Sequence, residues 1–220
     1  MSAAAKASGY TPPLGHAALT PLYDAAVALT TRETIWRRAL VDEIKTGARR
    51  SIIDVGSGTG SLAALLRKAS PETRYLGVDP DGEAVRRARA KAARTGAEFR
   101  VGYFPESAGD QAADVIVSSL VLHQVPLAEK KRIIDAAYSH LGPGGRFLVA
   151  DYGLQNSPLA RFLFRATVQA LDGREDTQPN ADGVVPELMR DAGFDDIEEK
   201  LRLPTLTGLI YIHAARKPAS

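Results

Sequence analysis

Three glycines at alternate positions, Gly56, Gly58 and Gly60, follow the apolar run Ile52-Ile53 and the acid Asp54. They open into the helical pattern Leu62-Ala63-Ala64-Leu65-Leu66. Glycines in such a turn allow positive φ and remove the Cβ atoms that would hold a ligand away from the main chain. A helix start just beyond them offers unpaired N–H groups and a positive dipole end, which suit a polar or anionic ligand group. Asp54 adds a different preference. A carboxylate two residues before the loop gives a pyrophosphate nothing, but it favours a cationic α-amino group. A second acid, Asp79, closes the run Tyr75-Leu76-Gly77-Val78, near the ~20-residue offset at which an acid takes ribose hydroxyls. The dinucleotide pattern G-x-G-x-x-G is not met, because position 61 is Ser61.

Asp54, the three glycines and Asp79 together resemble the nucleotide-binding half of the class I S-adenosylmethionine-dependent methyltransferases. Asp114-Val115-Ile116-Val117-Ser118-Ser119-Leu120 and the turn Leu141-Gly142-Pro143-Gly144-Gly145-Arg146 are similar to further family segments. The closing pattern from Leu206 to Lys217 looks most like the quinone-biosynthesis and related small-molecule enzymes. The cofactor implied is S-adenosylmethionine, with S-adenosylhomocysteine as product. The resemblance further implies that Asp54 holds the methionine end, partly through water, above a loop lined by Gly56, Ser57, Gly58 and Gly60. Asp79 accepts both ribose hydroxyls and Pro80 packs near the adenine. Family members usually carry an acid for the adenine amino group at the end of the third strand. Here the chain reads Gly102-Tyr103-Phe104-Pro105, so that acid is missing. Either Tyr103 or Phe104 stacks on adenine, or each is a plain core aromatic; Glu106 and Asp110 are substitutes out of register. Ser118 and Leu120 lie beside the transferring methyl. The Asn/Asp-Pro-Pro-Tyr/Phe pattern of enzymes that methylate adenine or glutamine amino groups is absent, which argues against those acceptors.

His123, just past the fourth strand, is the candidate general base or substrate-orienting residue, since an imidazole near neutrality can take a proton from a phenol or enol. A capping or structural histidine is the alternative. Tyr23, with Tyr10 and His16, falls where relatives fold an N-terminal cap over the cofactor; Tyr23 is the second candidate to reach the site, with core packing as its alternative. His16, His140 and His213 are read as structural, and no metal site is expected from their spacing.

The elements that must hold these residues follow from periodicity. Residues 20–46 read as one or two amphipathic helices carrying Leu22, Ala26, Leu29, Ile35, Trp36, Leu40 and Ile44. Strands at 52–55, 75–79, 97–103, 114–119 and 146–151 alternate with helices at about 61–69, 82–95 and 130–141. Apolar runs without strict alternation indicate a parallel sheet covered on both faces. Beyond Asp151 the spacing predicts one helix over 157–172, with Leu159, Phe162, Leu163, Ala166, Ala170 and Leu171 inward. A second helix over 184–192 follows, then two edge strands at 197–203 and 208–215. The fold implied is α/β: a Rossmann-like three-layer sandwich whose seven-stranded, mostly parallel sheet has an antiparallel last strand. The organisation expected is one methyltransferase domain over 1–220, with a disordered tail at 1–9, a helical cap at 10–47, the cofactor half at 48–151 and acceptor or lid elements at 152–217.

A length of 220 residues is enough for a real core, and a formal net charge of +2 makes no general case for nucleic acid or an anionic membrane. Cysteine is absent, which removes disulfides and thiolate metal sites. Neither a signal peptide nor a membrane span is read, so a cytoplasmic protein is expected. The function expected is methyl transfer to an O, C or N atom of a small, partly apolar acceptor by in-line displacement, with no nucleic-acid partner. The alternatives are an RNA or protein methyltransferase, motivated by Arg86, Arg87, Arg89, Lys91 and Arg94, and a catalytically silent S-adenosylmethionine-binding protein. That basic run reads better as a solvated helix face, because no aromatic residue is interleaved for stacking.

Overall fold

β1 (Ser51–Val55) and β4 (Ala113–Ser119) are short runs rich in Ile and Val, buried on both faces. Such strands fit only the interior of a parallel sheet. The computed structural model describes residues 29–46, 51–92, 96–110 and 112–219. The remaining strands are β2 (Arg74–Asp79), β3 (Glu98–Val101), β5 (Leu141–Tyr152), β6 (Asp195–Thr205) and β7 (Gly208–Arg216). Among the described residues they form one sheet in the order β3-β2-β1-β4-β5-β7-β6. The first five are parallel, and β7 runs antiparallel between β5 and β6. The chain order reverses between β1 and β4, so their carboxyl ends splay two loops apart and leave a crevice for a ligand. Asp114 fixes the opposite end of this pair: its Oδ2 accepts the Ser51 N–H at 3.0 Å and its own N–H donates to Ser51 Oγ at 3.1 Å.

The helices are α1 (Glu33–Ile44), α2 (Ser61–Ala69), α3 (Gly82–Ala92), α4 (Leu127–His140), α5 (Pro158–Ala166), α6 (Val168–Asp172), α7 (Arg174–Ala181) and α8 (Val185–Asp191). Trp36, Leu40, Leu62, Leu66, Val85 and Ala88 bring α1, α2 and α3 onto one face of the sheet. Ile133, Ile134, Leu188 and Met189 bring α4 and α8 onto the other, over Ile116 and Phe147. The result is a three-layer α/β sandwich.

Several expectations need correction. Leu22, Ala26 and Tyr23 lie outside the described residues. In α1 the buried stripe is Trp36, Leu40, Val41 and Ile44, and Ile35 is turned outward because one residue advances the helix by about 100°. The Gly142–Gly145 turn lies inside β5, where the pairing register with β4 shifts between Ala113 and Val115. The helix expected over 157–172 is broken at Thr167 into α5 and α6. Thr167 leaves helical dihedrals (φ −119, ψ −79) while its Oγ donates to the Leu163 carbonyl at 2.7 Å. Its inward side is Ala160, Phe164 and Val168, spaced i, i+4, i+8; Leu159, Phe162 and Leu171 are each about two-thirds exposed. The Phe164 ring lies 5.2 Å from that of Tyr152, and its Cβ crowds Gly208, so β7 selects this side of the helix.

Helix α7 escaped the sequence because it is short, contains the weak helix formers Asp176, Thr177 and Asn180, and has Pro179 inside it. Tertiary hydrogen bonds hold it: Lys130 Nζ donates to the Asp176 carbonyl at 2.7 Å, Asn180 Nδ2 to the Tyr152 carbonyl at 3.0 Å, and Gln155 N–H to the Ala181 carbonyl at 2.9 Å.

Replacing Phe164 by Ala is expected to cost about 3–5 kcal/mol of stability, whereas Phe162→Ser should change it by no more than about 0.5 kcal/mol. Urea unfolding of the two variants measures both, and comparable losses would mean that the face assigned to α5 is wrong.

Candidate functional site

The glycine loop leaves β1 and crosses the end of β2. Gly56 and Ser57 N–H groups donate to the Val78 carbonyl at 2.8 and 3.2 Å, and Gly58 N–H donates to Asp79 Oδ2 at 2.8 Å. Gly56, Gly58 and Gly60 all have positive φ (72, 53 and 75°). Their surroundings differ. A Cβ on Gly56 would strike Val121 at 2.2 Å, and one on Gly60 would press on Ala88 and Phe99 at 3.0 Å. A Cβ on Gly58 would meet nothing within 4 Å. Two glycines are therefore demanded by packing, and the third borders open space. Gly77 joins them, because a Cβ there would lie 2.5 Å from the Phe99 ring and 2.7 Å from Ser57 Oγ. The sequence reading missed Gly77, although a glycine inside an apolar strand is itself a sign of close approach.

Asp54 and Asp79 sit on the same face of adjacent strands, with Asp54 in register with Gly77. Asp79 accepts Gly58 N–H and Asp81 N–H, both at 2.8 Å, one on each oxygen. Burial raises its pKa, against those two hydrogen bonds. Each oxygen keeps acceptor capacity, as a ribose hydroxyl requires. Asp54 is almost completely buried, and the Tyr75 phenol donates to its Oδ2. Burial pushes its carboxyl up to about 6, with the Tyr75 hydrogen bond and the Arg37 charge acting against it. Asp54 Oδ1, Ser57 Oγ and Ser118 Oγ are buried with no hydrogen-bond partner among the described residues. Unmatched polar atoms of this kind are costly in a finished core. Clustered around a loop with open space at Gly58, the first two fit a ligand with an ammonium group and hydroxyls. Ser118 is in register with Val55 rather than with Asp54, which places it on the opposite face of the sheet.

The two aromatic candidates separate cleanly. Phe104 is buried with its ring 5.3 Å from that of His140, so it is a core residue and has no face free for adenine. Tyr103 is half exposed beyond the end of β3. Pro80 is half-buried just after Asp79. Glu106 is paired with Arg132 at 3.0 Å.

His123 lies in a short 3₁₀ turn (Leu122–Gln124) after β4, buried, with its Nδ1 2.7 Å from Asp151 Oδ1 and its Nε2 3.6 Å from Asp172 Oδ2. Burial alone would lower its pKa. The charge of Asp151 and the hydrogen bond to it, with Asp172 adding to both, outweigh that and hold it at about 9. Both ring nitrogens thus face carboxylates, an arrangement that favours the protonated imidazole. Asp151 also accepts N–H bonds from Leu122 and Tyr152 at 2.7 Å and from His123 at 3.3 Å. Lys130, buried beneath the same turn, donates to the carbonyls of Leu122, Val125 and Asp176. Asp151 was missed as a site residue, yet it ends an apolar strand just as Asp54 and Asp79 do. Asp172 and Lys130 gave no local signal. Tyr23 lies outside the described residues, as do Tyr10 and His16.

The basic run of α3 is engaged within the protein. Arg86 and Arg87 pair with Glu83, Arg89 donates to the Phe99 carbonyl at 2.6 Å, and Lys91 donates to Thr59 Oγ at 2.9 Å. Arg94 is outside the described residues.

Comparison with known proteins agrees with this geometry. Residues 53–147 match the family described as a methyltransferase domain. The arsenite methyltransferase of Halobacterium salinarum is 34% identical over 117 residues, covering 49% of this chain and 28% of that protein. The demethylmenaquinone methyltransferase of Thermus thermophilus is 29% identical over 142 residues, covering 61% of this chain and 62% of the other. The chain thus spans less than two-thirds of the length of either relative. Among solved structures, the S-adenosylmethionine-dependent methyltransferase SibL in its apo form superposes with a TM-score of 0.72 at 20% identity, over 94% of this chain and 60% of that one.

Because the folded pKa of His123 is raised above its ordinary 6.5 to about 9, its stabilising contribution is complete below pH 6.5 and is lost as pH rises through 9. The stability difference between the wild type and His123→Asn, from chemical denaturation, is expected to shrink across that window by on the order of 3 kcal/mol at most. A difference independent of pH would contradict the charged arrangement.

Proposed function

We propose that this chain, which carries a class I S-adenosylmethionine-dependent methyltransferase domain, transfers a methyl group to an O, C or N atom of a small, partly apolar acceptor. The observation that carries the reading is the buried Asp54 Oδ1, without a partner among the described residues, beside a glycine loop that Asp79 clasps and that is open at Gly58. In this reading Asp54 receives the α-ammonium of the donor, Asp79 its ribose hydroxyls, and Tyr103 lies against the adenine. The donor, when bound, supplies a methyl group on a sulfonium, an electrophile that already carries its leaving group. The protein's task is then chiefly to hold the acceptor in line at about 3 Å, a positioning effect worth several kcal/mol.

The acceptor side is assigned to the loop after β4 and to the segment after β5. Leu159, Phe162 and Leu171 expose an apolar surface there, which supports a partly apolar acceptor. His123, fixed as a cation by Asp151 and Asp172, serves to orient an acceptor rather than to deprotonate it. The relatives differ in what they are named for, arsenite in one and demethylmenaquinone in the other, so the acceptor is proposed only by class. The RNA alternative draws no support from α3, whose described basic side chains have partners within the protein.

Calorimetry with S-adenosylhomocysteine tests the donor site. Saturable binding is expected, and Asp79→Ala should weaken it by about 10- to 100-fold, the worth of hydrogen bonds to a charged group; no binding at millimolar ligand would end the assignment. With an acceptor in hand, the turnover number is expected to stay level up to about pH 8 and to fall as His123 loses its proton near 9. A rate that climbs tenfold per pH unit toward 9 would make His123 a general base instead.

A further inference from the structure

Asp54 presents an imbalance that the described residues do not resolve. One oxygen, Oδ2, accepts from the Tyr75 phenol, and the other, Oδ1, is buried with no partner among the described residues. A buried carboxylate satisfied on one side only is an expensive arrangement unless a further group completes it. The sheet register explains how Tyr75 comes to be there. Ile52 pairs with Tyr75 and Asp54 with Gly77, so Tyr75 stands one pair before Asp54 on the same face. Gly77, directly beside Asp54, has no side chain to compete for the carboxylate. The Tyr75 ring is wedged against Phe99 at 5.8 Å and is itself buried, which leaves its hydroxyl little freedom to point elsewhere.

We propose that Tyr75 is a positioning residue of the donor site, its phenol fixing one oxygen of Asp54 so that the other is presented to the donor's α-ammonium group. This rests on the donor reading above. Tyr75 does not touch the donor; it acts through Asp54, and the consequence is a proton linkage. Asp54 attracts an ammonium only when ionised, and burial holds its carboxyl at about 6. Among the described residues the groups acting on it are few. From β2 come the Tyr75 phenol, which lowers the value, and Asp79, which raises it. From α1 comes Arg37, which lowers it while paired with Glu33 at 2.6 Å and lying over the Trp36 ring. From β4 the residue in register is Val117, which carries no charge. Burial and the neighbouring Asp54 charge push the Tyr75 hydroxyl well above its ordinary value, so it remains a donor throughout the accessible pH range. Removing the phenol takes away one of the two influences that favour the carboxylate. The pKa of Asp54 must then rise, and donor affinity must be lost at a higher pH than before.

The test is binding of S-adenosylhomocysteine by calorimetry from pH 5 to 8, with the wild type, Tyr75→Phe and Asp54→Asn. Wild-type affinity is expected to be level above pH 7 and to fall toward tenfold per unit below about 6. Tyr75→Phe should bind within about threefold of wild type at pH 8 and be weaker by about tenfold or more at pH 6.5, the sign of an upward-shifted midpoint. Asp54→Asn should bind weakly and without this pH slope. Carbon-13 NMR of the Asp54 carboxyl in the ligand-free protein, assigned by its absence in Asp54→Asn, gives a readout independent of binding: its midpoint should move up in Tyr75→Phe. A Tyr75→Phe curve parallel to wild type at every pH, an unmoved carboxyl midpoint, or a slope that survives Asp54→Asn would each overturn the assignment while leaving the donor site standing. Failure of the wild type to bind S-adenosylhomocysteine at any pH would remove the donor reading and this inference together.

Discussion

Everything at the carboxyl edge of the sheet depends on the glycine loop being able to lie directly on β2. The contact is backbone to backbone: two loop N–H groups converge on the Val78 carbonyl, and a third reaches the Asp79 carboxylate. It is possible only because Gly77 beneath the loop and Gly60 within it leave room for Phe99, and because Gly56 leaves room for Val121. Phe99 from β3 and Val121 from the loop after β4 thus press on the crossing from two sides. One steric condition therefore links four strands, and Gly58 is the loop glycine it leaves uncrowded. The loop is built as part of the core rather than laid over it.

Three acids, Asp54, Asp79 and Asp151, lie near the ends of parallel strands, and what separates them is how completely each is satisfied. Asp151 accepts three backbone N–H groups and an imidazole, and so is spent on holding the 3₁₀ turn that carries His123. Asp79 accepts one N–H on each oxygen, which fixes its orientation and keeps capacity in reserve. Among the described residues Asp54 has a phenol partner on one oxygen and none on the other. In a low-dielectric setting the remaining demand for hydrogen bonds, more than the presence of a charge, separates a structural acid from a binding one. The same accounting bears on His123. A buried histidine between two carboxylates has its proton held rather than offered, which favours orientation over proton abstraction at neutral pH.

The elements around the loop were legible because they rest on local rules. Alternating apolar runs and amphipathic stretches placed β1, β2, β4 and α2 within a residue or two, and the spacing of Asp54, Gly56, Gly58, Gly60 and Asp79 marked the cofactor half. Legibility failed where a partner distant in sequence decides the outcome. Pattern alone turned Leu159, Phe162 and Leu171 inward, whereas β7 with Tyr152 selected another, narrower stripe, Ala160, Phe164 and Val168. Helix α7 has no periodicity to read and is held by Lys130, Asn180 and Gln155. Of two adjacent aromatics, Phe104 turned into the core and Tyr103 stayed out, a choice made by the packing around His140.

By itself, then, the sequence determined the class of fold and the kind of donor group, because both follow from the spacing of residues along single strands and one turn. Only the tertiary structure decided which oxygen of Asp54 is left bare, that Tyr75 holds the other, and that His123 is flanked by Asp151 and Asp172. Those facts depend on strand register and on burial. Register brings together Tyr75 and Asp54, 21 positions apart, while the packing of loop and helix brings Asp151 and Asp172 to His123 from 28 and 49 positions away. Burial then changes what their charges cost, and neither quantity is written in any local stretch of chain.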